Sequence, residues 1–175
     1  LPHHLQAADA YSDESHLTSQ RWDHPYGYGL HRFAYSKDGL EGGVFRVTEL
    51  EGRTQDGTML CLDPREHLEL DLSAVLGESP AVDVHLAVPH LKPGGENVAR
   101  DGENAAARYR LYQTTWKDET GWSSDQDIEC RKLGVELLAT PAGESKPSGY
   151  ETLKIARIMR VGERAIKPTL DKDYI

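Results

Sequence analysis

Residues Gly42–Leu62 read GGVFRVTELEGRTQDGTMLCL, and this stretch decides the fold class. Val44–Leu50 sets Phe45 and Val47 on one side and Arg46 and Thr48 on the other, the period of two of a half-buried strand. Glu51-Gly52 reads as a break, Arg53–Gln55 as a short strand, and Asp56-Gly57 as a second break before Met59–Leu62. Asp-Gly suits a tight hairpin because both residues tolerate the positive φ that such turns need. The pattern predicts an antiparallel meander, strand–turn–short strand–turn–strand. Its single apolar face requires a second sheet from the rest of the chain.

On the amino-terminal side, Leu1–Gln20 is polar, with Leu5 and Ala8 at helical spacing. This predicts a short amphipathic helix from about His4 to Asp13, with a stripe too thin to hold unless it packs on the body or a partner. In Arg21–Arg32 (RWDHPYGYGLHR) Pro25 and two glycines oppose a helix, so an irregular aromatic segment is expected. Trp22, Tyr26 and Tyr28 either pin that segment to the sandwich edge or form a stacking surface. Phe33–Tyr35 reads as a first strand, closed by the turn Ser36-Lys37-Asp38-Gly39.

On the carboxy-terminal side, Leu68, Leu70 and Leu72 alternate with acids. Val82–Pro89 gives the clearest period of two, with Asp83, His85 and Ala87 expected to face water. His90–Ala107 reads as a long polar loop. Arg108–Lys117 and Val135–Ala139 read as strands, and Asp118–Asp127 as a polar loop around Trp122. Tyr150–Val161 fits strand or helix, and its glycine-bounded flanks favour strand, with Leu153 and Ile155 inward. Ala165–Leu170 is a last short strand that Pro168 confines to an edge. Eight or nine evenly spaced strands with at most one helix are the signature of an all-β antiparallel sandwich.

The 175 residues suit one domain with a real core, 38% hydrophobic and 28% charged. A net charge of −9 argues against general nucleic-acid binding and against docking on anionic lipid. No apolar run is long enough for a membrane span, and no secretory signal is recognisable. Cys61 and Cys130 both fall in predicted strands and are expected to be reduced, partly buried thiols, which points to the cytoplasm. The chain starts at Leu1-Pro2 and stops just after an extended segment, so it reads as a domain of something longer.

Little in the residues promises chemistry. None of the eight histidines forms a short-loop pair or a helical H-x-x-x-H set, so no metal is expected. No G-x-S-x-G is present, and no helix follows Gly42-Gly43 or Gly94-Gly95 to complete a phosphate cradle. On the residues alone, a non-enzymatic β-sandwich without cofactor is expected. A carbohydrate-binding sandwich, with Tyr112, Trp116 and Trp122 as stacking faces, is the alternative. A hydrolase built on scattered His and Asp residues is a distant third reading.

Five stretches, in order, resemble the TssK family of bacterial type VI secretion baseplate proteins. LPHHLQ is similar to the family's Leu-x-Pro-Gln-His-Phe-Gln leader, matching at Pro2, His4 and Gln6 and departing at His3 and Leu5. YGYGLHRFAYSKDGLEGGVFRVTELEGRTQDGTML, VHLAVP, GYETLKIARIMR and LDKDYI resemble later family segments. The resemblance implies an adaptor rather than a catalyst, namely the shoulder sandwich, like that of siphophage receptor-binding proteins. In the family a helical neck and a head follow. It also implies docking on the wedge proteins TssF and TssG, a homotrimer at full length, and membrane-complex contact only through the head, all at the inner face of the inner membrane.

Two segments are expected, a leader arm at 1–25 packing on a sandwich at 26–175. The partner-facing surface is expected on His4, Leu5 and Gln6 of the leader and on Trp22, Tyr26 and Tyr28. The competing expectation is that these residues only pack the leader onto its own sandwich.

Overall fold

The computed structural model describes residues 2–99, 107–118, 121, 124–160 and 168–170. The first half of the chain forms α1 (Pro2–Asp23), β1 (Gly29–Tyr35), α2 (Lys37–Glu41), β2 (Val44–Arg53), β3 (Met59–Cys61), β4 (Leu68–Asp71) and α3 (Ser73–Glu78). The second forms β5 (Ala81–Pro89), β6 (Val98–Ala99), β7 (Tyr109–Trp116), β8 (Gln126–Leu133), β9 (Glu136–Pro141), β10 (Tyr150–Arg160) and β11 (Pro168–Leu170). Trp122, residues 101–106 of the polar loop and residues 165–167 of the last expected strand lie outside the described residues.

The sandwich is present, with its two main layers. In the first sheet β2 is central, paired with β1 on one side and with both β3 and β4 on the other. The second runs β11-β10-β5-β9, all antiparallel. Phe45 and Val47 of β2 face Val82, Val84, Leu86 and Val88 of β5 in one buried cluster. Burying each such side chain contributes roughly 1.5–3 kcal/mol. A third sheet, β6-β7-β8, is a long hairpin whose short β6 pairs in parallel with β7, a departure from the all-antiparallel expectation.

β2 corrects the predicted meander. It runs through Glu51-Gly52 without a break and turns only at Asp56-Gly57. A bulge at Thr48 makes this possible, because Ala34 pairs with Glu49 and Tyr35 with Val47. One extra residue reverses the inward phase, so Phe45 and Val47 are followed inward by Leu50 and Gly52. Ile155 does the same in β10, and Ile155 and Ala156 are consecutive buried residues.

Among the described residues three helices replace the expected one. α2 stands where a simple turn was expected, capped by Ser36, whose hydroxyl accepts from the Gly39 N–H at 3.1 Å. α3 starts after Asp71, whose carboxylate accepts from the Ser73 N–H, and buries Leu72 and Leu76 in the core. α1 continues ten residues past the expected end at Asp13.

β5 is buried on both faces, although Asp83 and His85 were expected to meet water; each is only 4% exposed. Neighbouring strands satisfy Asp83 and one nitrogen of His85. Arg157 of β10 grips Asp83 with two hydrogen bonds, 2.7 and 3.0 Å, and Lys154 adds an ion pair at 2.6 Å. Arg157 above all holds the Asp83 carboxyl far below the usual carboxylate range.

Candidate functional site

α1 is the unusual element. Among its described side chains only Leu17 is partly covered, and the rest are exposed. A 22-residue helix without an apolar face does not persist in water on its own helix propensity. It is anchored near its carboxy-terminal end by one turn of the first sheet. Arg21 Nη2 donates to the Asp56 carbonyl at 2.7 Å. Leu17 closes on Gly57, where a Cβ would sit 2.9 Å from Leu17 Cδ2. One exposed ion pair, Asp13 with Arg131 at 3.6 Å, links it to the hairpin.

That anchoring turn is rigid for reasons visible in its residues. Gly57 adopts φ +91°, and the Thr58 N–H is held by both the Thr54 hydroxyl and the Asp56 carboxylate. The buried Arg108 then binds Asp56 Oδ2 at 3.2 Å, Thr58 Oγ1 at 2.6 Å and the Pro89 carbonyl at 2.8 Å. Partial burial pushes the Asp56 carboxyl up. Hydrogen bonds from Thr54 and Thr58 and the Arg108 charge outweigh it, leaving the group below its usual range.

Beside the turn lies an open cleft of about 440 Å³, lined by Tyr26, Tyr28, Leu30, Arg53, Met59 and Cys61. Tyr26 and Met59 on its walls are turned outward, 85% and 62% exposed. Arg53 Nε lies 3.3 Å from Met59 Sδ, which orders the cleft's charged rim. Cys61, expected to be partly buried, is exposed here, while Cys130 in β8 is half-buried; both are free thiols.

The structure divides the predicted interface in two. Tyr26 and Tyr28 line the cleft, while Trp22, 82% exposed, stands in the last turn of α1 outside the cleft's lining. His4, Leu5 and Gln6 are exposed at the far end of the same helix. Leu5 and Trp22 are separated by about 25 Å at the α-helical rise. Leu17 and Arg21 hold the leader to the first sheet, and Tyr28 lines the small groove between them. Met59 and Leu30 were missed in the sequence. Their only signal was an apolar residue just past a tight turn and another just past an aromatic-glycine run.

The remaining candidates carry no assembled chemistry. No group of three metal-ligating side chains occurs among the described residues. No described helix is long and apolar enough to cross a membrane. Tyr112 and Trp116 of the carbohydrate alternative share one face of β7, 40% and 63% exposed. His85, against the expectation of surface histidines, is buried: its Nε2 meets Thr140 Oγ1 at 3.2 Å and its Nδ1 has no partner among the described residues. Burial lowers its pKa, although Asp83 pulls the other way.

Comparison with solved structures finds the same fold in type VI secretion baseplates. A chain of the TssK-TssF-TssG baseplate subcomplex matches with TM-score 0.82 and 19% identity, over 100% of this chain and 57% of that one. A TssK crystal structure matches with TM-score 0.81 and 20% identity, over 98% of this chain and 38% of that one. TssK from the EAEC system, in complex with a nanobody, matches with TM-score 0.71 and 18% identity, over 97% and 38%. This chain therefore spans between 38% and 57% of the length of those chains. Comparison with curated protein sequences finds no match. A family model for bacterial type VI secretion, covering EvfL, ImpJ and VasE, matches residues 4–175, and the chain belongs to that family, the TssK family.

Proposed function

We propose that this chain is a structural docking domain of a type VI secretion baseplate, and that its partners are the wedge proteins TssF and TssG. The supporting observation is the exposed aromatic surface that Trp22 at the end of α1 and the cleft-lining Tyr26 and Tyr28 present, on a chain whose family match runs from residue 4 to residue 175. Interfaces concentrate their binding energy in a few aromatic anchors beside an open pocket, ringed by polar residues. His4, Leu5 and Gln6 make a second, distal contact on α1. Residues 1–25 act as the arm and 26–175 as the sandwich that positions it. In the full-length protein the domain belongs to a homotrimer on the cytoplasmic side of the inner membrane, and regions beyond this span reach the membrane complex.

Co-purification with TssF and TssG tests the reading. Trp22→Ala with Tyr26→Ala is expected to lower wedge capture at least tenfold while leaving the fold intact. Unchanged capture by the folded variant would refute it.

A further inference from the structure

The β7–β8 hairpin leaves β8 as the outer strand of the third sheet, with no strand beyond it among the described residues. A two-stranded ribbon is only marginally stable alone, and an unpaired strand edge is a template for another strand. The β7 pairing sets Asp127, Glu129 and Arg131 on one face of β8, and Ile128, Cys130 and Lys132 on the other. Charge also runs along the strand, acidic in its first half (Asp127, Glu129) and basic in its second (Arg131, Lys132). A strand with that polarity is complementary to its own reverse.

We propose that β8 pairs antiparallel with β8 of a second copy of this chain, about a two-fold axis at Cys130. In that register each Glu129 lies opposite the partner's Arg131, and the two Cys130 side chains face each other. Moving the axis to Glu129 sets two carboxylates against each other, and moving it to Arg131 opposes two guanidinium groups. Like charges directly opposite are destabilising, so the charges select Cys130. Arg131 is already held on the correct face, its guanidinium 4.9 Å from the Tyr109 ring centre. Its contact with Asp13 is an exposed ion pair with about half of the Arg131 side chain in water, too weak to keep Arg131 from a new partner. The joined ribbons form a four-stranded sheet, β7-β8-β8-β7. Its other face carries Tyr112 and Cys130 of both copies side by side, with each Ile128 opposite the partner's Lys132. This pairing is independent of wedge docking, and in the homotrimeric full-length protein it joins one copy of each of two trimers.

Cys130 reports the register. Opposed residues of an antiparallel pair have Cα atoms roughly 4.5–5.5 Å apart, inside the range of about 4.4–6.8 Å that a disulfide spans. Cys61→Ser leaves Cys130 as the sole thiol of the chain. Diamide then accepts the two electrons and two protons that two Cys130 thiols release as their S–S bond forms. A covalent dimer on non-reducing electrophoresis is the expected result, and its absence overturns the proposal. On the reduced chain, sedimentation velocity should show dimerisation weakened about tenfold or more by Glu129→Arg. The exchange Glu129→Arg with Arg131→Glu should restore it. A dimer indifferent to Glu129→Arg, or a folded exchange variant that stays monomeric, also overturns the proposal.

Discussion

Arg108 Nη2 lies 3.2 Å from Asp56 Oδ2, and Arg21 Nη2 lies 2.7 Å from the Asp56 carbonyl oxygen, so one turn residue joins the exposed helix to the buried centre. Arg108 opens the third sheet, Asp56 lies in a turn of the first, and the Pro89 carbonyl that Arg108 also binds ends β5 of the second. The three layers therefore meet at a single guanidinium, on a residue only 7% exposed.

Removing that guanidinium should cost more than removing its carboxylate partner. Arg108→Met leaves the Pro89 carbonyl and the Thr58 hydroxyl without a donor and is expected to lower stability by about 2–3 kcal/mol. Asp56→Asn removes a carboxylate still about a third exposed, and should cost only about 1 kcal/mol. Urea midpoints at unchanged slope measure both. A larger loss from Asp56→Asn would contradict this ordering.

Gly57 controls the seat of α1. Its φ of +91° disfavours any side chain, and a Cβ would press on Leu17. Gly57→Ala should destabilise the chain by roughly 1–2 kcal/mol. It should also free α1, seen as faster hydrogen exchange across residues 13–23. Slower or equal exchange there would show that α1 is held elsewhere.

Acid stability should depend on His85. Burial depresses its folded pKa, so between neutrality and mild acid the unfolded chain binds a proton that the folded chain refuses. This contribution is intact above the unfolded value near pH 6.5 and is lost as pH falls below it. Asp83 acts lower. Its depressed folded pKa stabilises the chain above the ordinary carboxylate value, and that contribution is lost only as pH falls through the strongly acid range. The native chain should therefore lose more melting temperature between pH 7.5 and pH 5 than His85→Gln does. Equal losses would show that His85 is not the group titrating.

The alternation that defines the sandwich was readable in the apolar residues of the central strands. Phe45, Val47 and the valines of β5 all point where their spacing places them. The reading failed where a distant residue decides the outcome. Asp83 and His85 looked solvated because polar residues at alternate positions usually are, and nothing local announces that Arg157 and Lys154 cover Asp83. The phase change at Leu50 depends on a bulge set by β1, so Glu51-Gly52 resembled a turn when it was strand. α3 did leave a trace, an Asp-x-Ser start with Leu72 and Leu76 four apart, masked by the strand-like leucines before it. α1 was legible only in part, since its carboxy-terminal half has no apolar stripe and is held by the Asp56-Gly57 turn. The residues proposed to dock, Trp22, Tyr26 and Tyr28, stood out as aromatics. Their separation from His4, Leu5 and Gln6 required the full length of the helix.

Wedge capture by the isolated chain, compared with Trp22→Ala/Tyr26→Ala and with Leu5→Ala as separate variants, tests the central claim most directly. The expected result is capture by the native chain, near-complete loss in the Trp22/Tyr26 variant, and a smaller loss at Leu5. Equal capture by all three folded proteins would contradict the docking role of the aromatic surface.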